Sequence, residues 1–200
     1  EAMFDVAGQD IMTADKVTLR MNAVVTYRVA DARTAVSTVD DVRQALYREA
    51  QLALRAVVGA RELDTFLMEK DGVASELADM VRARAFYEDV LGLEPIYSDN
   101  RLSAYAVAGR DVLLVFRKGT TGQTAVLPSG TIPGHGGDGA LHVAFAIGKD
   151  ELDRWETHLA SCGVAIEGRN DWERGGRSLY FRDPDGHLLE LATPGLWSIY

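Results

Sequence analysis

The sequence predicts an α+β chain in which a small α+β segment precedes two imperfect copies of one helix-and-strands module. Three observations carry that prediction. Runs of period-2 alternation are interleaved with runs of period 3.6, the signatures of half-buried strands and amphipathic helices. The order of these runs changes near residue 82. Beyond that point the pattern helix plus three strands is followed by strand, helix and three strands.

The first part runs strand, strand, helix, helix. Residues 16–21 alternate Val17, Leu19 and Met21 with polar neighbours, and residues 22–30 (NAVVTYRVA) form a second β-rich run. Asp40 or Asp41 then offers an N-cap. The following DVRQALYREAQLALRAVVG places Val42, Leu46, Ala50, Ala53 and Val57 on one stripe, with Gly59 as its stop. A further helical run starts at Asp71 and flows into ELADMVRARAFYEDVLGLEP, where helix 82–91 opens the second part.

Three short β-like runs follow, at 94–98, 102–107 and 112–117, and then a loop rich in Gly, Thr and Pro over 119–139. Next come strand 141–147, helix 150–160, and strands 164–168, 178–182 and 187–192. The last two strands are joined by Asp183-Pro184-Asp185-Gly186, a sequence with strong turn chemistry. Phe86 and Val90 of the first module's helix correspond to Trp155 and Leu159 of the second. The first module lacks the strand that should precede its helix.

Bulk properties exclude several classes. The 200 residues suffice for one large domain or two small ones. A formal net charge of −9, with no Lys/Arg cluster, argues against a nucleic-acid binder. The single cysteine, Cys162, excludes an intrachain disulfide and fits a reducing, cytoplasmic compartment. It is read as a helix-end thiol, because no histidine neighbour is evident to activate it. No apolar run is long enough to span a bilayer. The opening Glu-Ala-Met-Phe-Asp lacks an initiator Met, so a preceding part is expected.

Two resemblances sharpen this picture. Residues 8–81 resemble the stomatin/prohibitin (band 7, SPFH) family, on QDIMTADKVTLRMNAVVTYRVADARTAV and YREAQLALRAVVGARELDTFLMEKD. That resemblance implies an oligomeric membrane scaffold without catalytic residues, membrane-associated in a longer parent protein. It covers only the middle of the family's domain. Residues 82–200 resemble the vicinal oxygen chelate superfamily of glyoxalases, extradiol dioxygenases, fosfomycin-modifying enzymes and bleomycin-binding proteins. The matching text is RARAFYEDVLGLEP, GRDVLLVFRKG, ALHVAFAI and GRSLYFRDPDGHLLELATPG. This resemblance implies paired βαβββ modules whose strands curl into a cup around a divalent metal, here without the first strand of the first module. The expected domains are therefore 1–81 and 82–200. Both resemblances stop at one seam, each truncated there, which is the pattern of a fusion. One arrangement would let a strand such as 22–29 fill the vacant position.

Strand alternation groups the candidate site residues. In 141–147, Leu141, Val143, Phe145 and Ile147 share one face and His142, Ala144 and Ala146 the other. Leu189 and Leu191 leave Glu190 opposite, and Leu179 and Phe181 leave Ser178, Tyr180 and Arg182 opposite. One surface would therefore collect His142, Glu190 and Tyr180. A carboxylate set between leucines needs a partner or a cation. The resemblance places metal ligands at His142 and Glu190, and imidazole with carboxylate suits Fe, Mn, Ni or Zn.

In the first module the repeat sets Val115 opposite Glu190, which rules out a four-ligand site. A third ligand is expected from His135 in the loop IPGHGGDG or from a partner chain, with a solvated loop histidine as the alternative for His135. Tyr180 is a substrate contact or acid, or alternatively a wall aromatic. His187 and His158 are read as surface residues, and Arg182 with Asp183 as a turn-flanking pair. Three functions stay open: metal-dependent chemistry on a small substrate with two neighbouring oxygens, metal-free binding of a small molecule, and a self-associating scaffold carrying the second part. A homodimer or higher oligomer is expected.

Overall fold

The computed structural model describes residues 2–28, 42–99, 101–137 and 139–199. These fall into two compact units, one ending at Gly136 and the other beginning at Gly137.

The first unit opens with strand β1 (Ala2–Met12), antiparallel to β2 (Thr18–Tyr27). The sequence reading missed β1 and divided β2 in two. β2 alternates without a break from Thr18 to Tyr27, whereas β1 carries a bulge that hides its pattern. Val6 pairs with Ala23 but Gln9 with Met21, so β1 carries one extra residue. The inward face therefore changes parity, from Phe4 and Val6 to Ile11, and no continuous period-2 pattern is visible. The hairpin turn is held by Thr13, whose hydroxyl donates to Asp15 Oδ1 at 2.5 Å and accepts from the Val17 amide at 3.0 Å.

Helix α1 (Val42–Gly59) lies on this hairpin. Ala50, Ala53 and Val57 of the predicted stripe are buried and Leu46 is half-buried, while Leu54 and Val58, outside that stripe, are buried beside them. Leu54, Val57 and Val58 form a core with Ile11 and Phe66, against which Leu19, Met21, Leu77 and Met80 pack. A second cluster joins Phe4, Val6 and Ala50, with Leu46 and Tyr47 against it. The cap expected at Asp40 or Asp41 lies outside the described residues.

Phe66 belongs to a short helix, α2 (Leu63–Met68), which the sequence reading had not separated from its neighbours. Helix α3 (Lys70–Ala85) continues into a single π turn, Phe86–Val90, marked by the Leu91 amide donating to the Phe86 carbonyl at 3.0 Å. Two consecutive aromatics in this turn, Phe86 and Tyr87, are both buried, at 7% and 5% exposure. Tyr87 stacks on Tyr105, ring centroids 5.6 Å apart.

Beyond the helix stop at Gly92 come β3 (Glu94–Ser98), β4 (Leu102–Val107) and β5 (Asp111–Phe116), an antiparallel sheet in chain order. Tyr105 marks the helix-facing side, with Leu113 and Val115 on the same side by alternation. The loop after β5 holds a small hairpin, β6 (Ala125–Leu127) and β7 (Gly130–Ile132), that sequence reading did not anticipate.

The second unit is one complete βαβββ module. Its elements are β8 (His142–Ala146), α4 (Leu152–Ser161), β9 (Ile166–Asp171), β10 (Arg177–Arg182) and β11 (Leu188–Ala192). Strand order is β8-β11-β10-β9, with β8 parallel to β11 and the others antiparallel. Helix α4 packs on the sheet. Leu179, Phe181, Leu189 and Leu191, the inward residues predicted by alternation, are nearly inaccessible to solvent, and so are Leu152 and Leu159 of α4.

The two modules differ as the sequence predicts. Among the described residues β5 pairs with β4 alone, whereas β11, its counterpart, has β8 on its outer edge. Strand β2 pairs with β1 and does not fill the vacant position. Register corrects one detail. Leu114 lies opposite Ala104 on the open face, so Leu114, and not Val115, takes the place of Glu190. The conclusion that this module offers no carboxylate there is unchanged.

Candidate functional site

Three adjacent strands of the second unit bring His142, Glu190 and Tyr180 together. Tyr180 and Glu190 are direct partners in the β10–β11 ladder, and Glu190 faces Ala144 of β8, two residues beyond His142. Glu190 is only 6% exposed, between Leu189 and Leu191 at 1% each. Its carboxylate oxygens are divided between two partners. The Tyr180 hydroxyl donates to Oε1 at 2.9 Å, and His142 Nε2 lies 3.1 Å from Oε2. The imidazole and phenol rings are 6.2 Å apart.

Electrostatics follow from this packing. Burial raises the Tyr180 phenol above its usual range, and its hydrogen bond to Glu190 adds to that, while Ser178 pulls the other way. The phenol therefore stays protonated at neutral pH and acts as a donor. Ser178, 1% exposed, accepts a 2.8 Å bond from the Trp172 indole and backs the Tyr180 strand. Ala144 and Ala146 are the small neighbours on β8, so the imidazole edge, 49% exposed, stays open to solvent.

The donor set fits a divalent metal in kind: one imidazole nitrogen and one buried carboxylate from neighbouring strands. It supplies two protein ligands, where a catalytic metal normally has three. Among the described residues no group of three or more His, Cys, Asp or Glu side chains stands together. His135 belongs to the first unit. Its ring meets Phe116 edge-on at 5.1 Å, and its Nδ1 lies 3.2 Å from the Pro133 carbonyl oxygen.

The remaining sequence candidates resolve differently. His187 is half-buried and accepts from the Leu141 amide at 3.2 Å, so it ties β8 to the turn. Asp183 Oδ1 accepts from the amides of Asp185 and His187 and fixes that turn. Arg182 pairs with Glu167 at 3.0 Å. Cys162 does have a histidine neighbour, contrary to expectation: His158 Nε2 lies 3.7 Å from its sulfur. The i,i+4 spacing of His158 and Cys162 at the end of α4 is the sequence signal for this pair. His158 is half-buried, edge-on to Trp155 at 5.7 Å.

With this geometry in place the comparisons are specific. Residues 77–191 match the Glyoxalase/Bleomycin resistance protein/Dioxygenase superfamily, and residues 2–95 match the SPFH domain / Band 7 family. The chain belongs to the glyoxalase/bleomycin resistance/dioxygenase superfamily, and its N-terminal part is similar to stomatins. The two matches overlap on α3, the π turn and the start of β3.

A metallothiol transferase FosB from Lysinibacillus sphaericus is 32% identical over 118 residues, covering 58% of this chain and 76% of that one. The structure of a lactoylglutathione lyase from Agrobacterium tumefaciens aligns with a TM-score of 0.53 at 32% identity, covering 58% of this chain and 87% of that one. A stomatin homolog from Pyrococcus horikoshii is 37% identical over 79 residues, 40% of this chain but only 30% of that protein. The chain thus spans under a third of that stomatin-type relative. Among the described residues no helix is long and apolar enough to cross a membrane.

Proposed function

We propose that residues 82–200 form a glyoxalase-superfamily domain that holds a divalent metal through His142 and Glu190. The metal serves chemistry on a small molecule offering two neighbouring oxygens. The observation that carries this reading is Glu190, a carboxylate enclosed by leucines and turned toward an exposed imidazole on the next strand. Such a group is costly to keep buried unless a cation or donors compensate it. When bound, a metal of the Fe, Mn, Ni or Zn type supplies a positive charge toward which two substrate oxygens orient.

The protein's own residues do the rest. Tyr180, held protonated, gives its single O–H to Glu190 at rest and turns it to a substrate oxygen on the same face. A third ligand comes from a partner chain. The similarity to a protein named as a metallothiol transferase supports metal dependence. Residues 1–81 act as a stomatin-like segment, and the protein works as a self-associated species.

The test is metal binding by the intact chain. Titration with Mn²⁺, followed by calorimetry and by the electron paramagnetic signal of free ion, is expected to show one site per chain. His142→Ala and Glu190→Gln should each weaken it at least tenfold. No binding above background, or affinity unchanged in both variants, overturns the reading.

Two observations favour a second reading, metal-free binding of a small molecule. Both Glu190 oxygens already have partners within the chain, and Leu114 stands where the first module would need its carboxylate. A ligand-induced rise in melting temperature that survives EDTA selects this reading over the first.

A further inference from the structure

We infer that the outer edge of β5 is a self-association seam, where it pairs antiparallel with β5 of a second copy about a two-fold axis at Leu114. This rests on the self-association read above and is independent of the metal reading.

The starting point is the internal contrast between the modules. In the second unit β8 covers the outer edge of β11. In the first unit the chain directly ahead of the π turn is helix α3, and among the described residues β5 pairs only with β4. The two edges of this sheet are unequal. The β3 edge carries Pro95 and a register shift between Pro95 and Tyr97, two devices that discourage pairing. The β5 edge, DVLLVF, has no Pro, no Lys within the strand and an unbroken register with β4. It is an apolar edge without protection. Val112 is 55% exposed and Leu114 49%, and on the same open face Tyr97 is 56% exposed.

Self-pairing about Leu114 is complementary at every ladder position. Leu114 meets its own copy, Val112 meets the partner's Phe116, Leu113 meets the partner's Val115, and Asp111 meets the partner's Arg117. The apolar pairs are of the type that stabilises sheets, and each end gains an opposite-charge pair. Arg117 already donates to Glu76 at 2.6 Å, and its guanidinium retains donors for a second carboxylate. The two-fold axis runs perpendicular to the sheet, so both open faces lie on one side and both helices on the other. Because the contact is isologous, it closes at two copies and leaves no further β5 edge exposed.

The experiment places cysteines on the full chain carrying Cys162→Ser. In the seam, Leu114→Cys brings two thiols to directly opposed positions, with Cα atoms about 5 Å apart. Val112→Cys sets its thiols four residues apart along the ladder, about 13 Å, beyond disulfide reach. Wild-type protein is expected to show a dimeric mass by light scattering in the micromolar range. Under mild oxidation Leu114→Cys should cross-link at least tenfold faster than Val112→Cys. Asp111→Lys, an exposed substitution that sets like charges against the partner's Arg117, should weaken the dimer at least tenfold.

A monomeric wild type overturns both the seam and the self-association. A dimer in which the two cysteine variants cross-link equally, and which Asp111→Lys leaves intact, assigns association to another surface and overturns the seam alone. Neither outcome touches the metal reading, which the Mn²⁺ titration decides.

Discussion

Tyr180 and Glu190 face each other across the β10–β11 ladder, and the phenol donates to the carboxylate at 2.9 Å. His142 takes the other carboxylate oxygen. The buried carboxylate is thereby held by one partner from each flanking strand, and the site is shaped before any ligand arrives.

Removing the phenol therefore has a defined consequence. Tyr180→Phe keeps the ring and deletes the donor, leaving Glu190 Oε1 without its partner in a site that is 6% exposed. The expected loss is about 1–3 kcal/mol of unfolding free energy, measured by urea denaturation near neutral pH. The phenol's pKa is raised, chiefly by burial and then by the Glu190 bond, so its contribution is intact below about 10 and fades as pH climbs through the raised value. The difference between wild type and Tyr180→Phe should stay constant through neutral pH and shrink only in strong alkali. A stability gap that instead changes between mildly acidic and neutral pH would assign the effect to another group.

A second expectation concerns the join between the stomatin-like text and the first module. Glu76, on α3, pairs with Arg61 beyond α1 and with Arg117 beyond β5. All three side chains are mostly buried, at 22%, 18% and 21% exposure, so the bridge is poorly screened. Glu76→Gln should destabilise the protein by about 1–2 kcal/mol, since two arginines lose a shared anion. Arg117→Lys should recover less than half of the effect of Arg117→Ala, because a single ammonium does not reproduce the guanidinium fork. Thermal melts of the three variants check both statements. Loss confined within experimental error would make the bridge a surface pair of no consequence.

The sequence was most legible where alternation ran unbroken. In the second unit the inward leucines and Phe181, the Asp183–Gly186 turn and the outward His142, Glu190 and Tyr180 all follow from period 2. The first unit hid its elements behind local irregularities. A bulge between Val6 and Gln9 shifts the parity of β1, and a π turn breaks the helical period just where the two similarities meet. A one-residue slip in the repeat exchanged Leu114 for Val115, which moves a side chain to the opposite face. The pairing of His158 with Cys162 needed only helical spacing, but its value depended on burial that hydropathy does not report. Partners of buried polar groups are a tertiary property, and alternation supplies only the face on which they stand.

The π turn sets up the last expectation. It carries Glu88 and Asp89, both with pKa values raised, by burial first and by repulsion from Glu49 second. Glu88 Oε1 accepts from Tyr105 at 3.3 Å, and that phenol is itself pushed up to about 12, mainly by burial. For a carboxyl whose pKa rises on folding, the protonated form is favoured in the native state. Its contribution is complete below the unfolded value of about 4.5 and is lost as pH rises through the raised native value. At neutral pH wild type therefore bears a penalty that Glu88→Gln lacks, and glutamine keeps an acceptor for Tyr105. The variant should melt about 1–3 °C higher than wild type near pH 7, with solvent screening of this half-buried site keeping the gain small. The gain should disappear near pH 4, where wild type is itself protonated. Spectrophotometric titration gives an independent readout: without the Glu88 charge beside it, the Tyr105 hydroxyl should ionise below about 12. A variant that is less stable at every pH would mean that the carboxylate's contacts outweigh its repulsion from Glu49, and the raised pKa would then need a different cause.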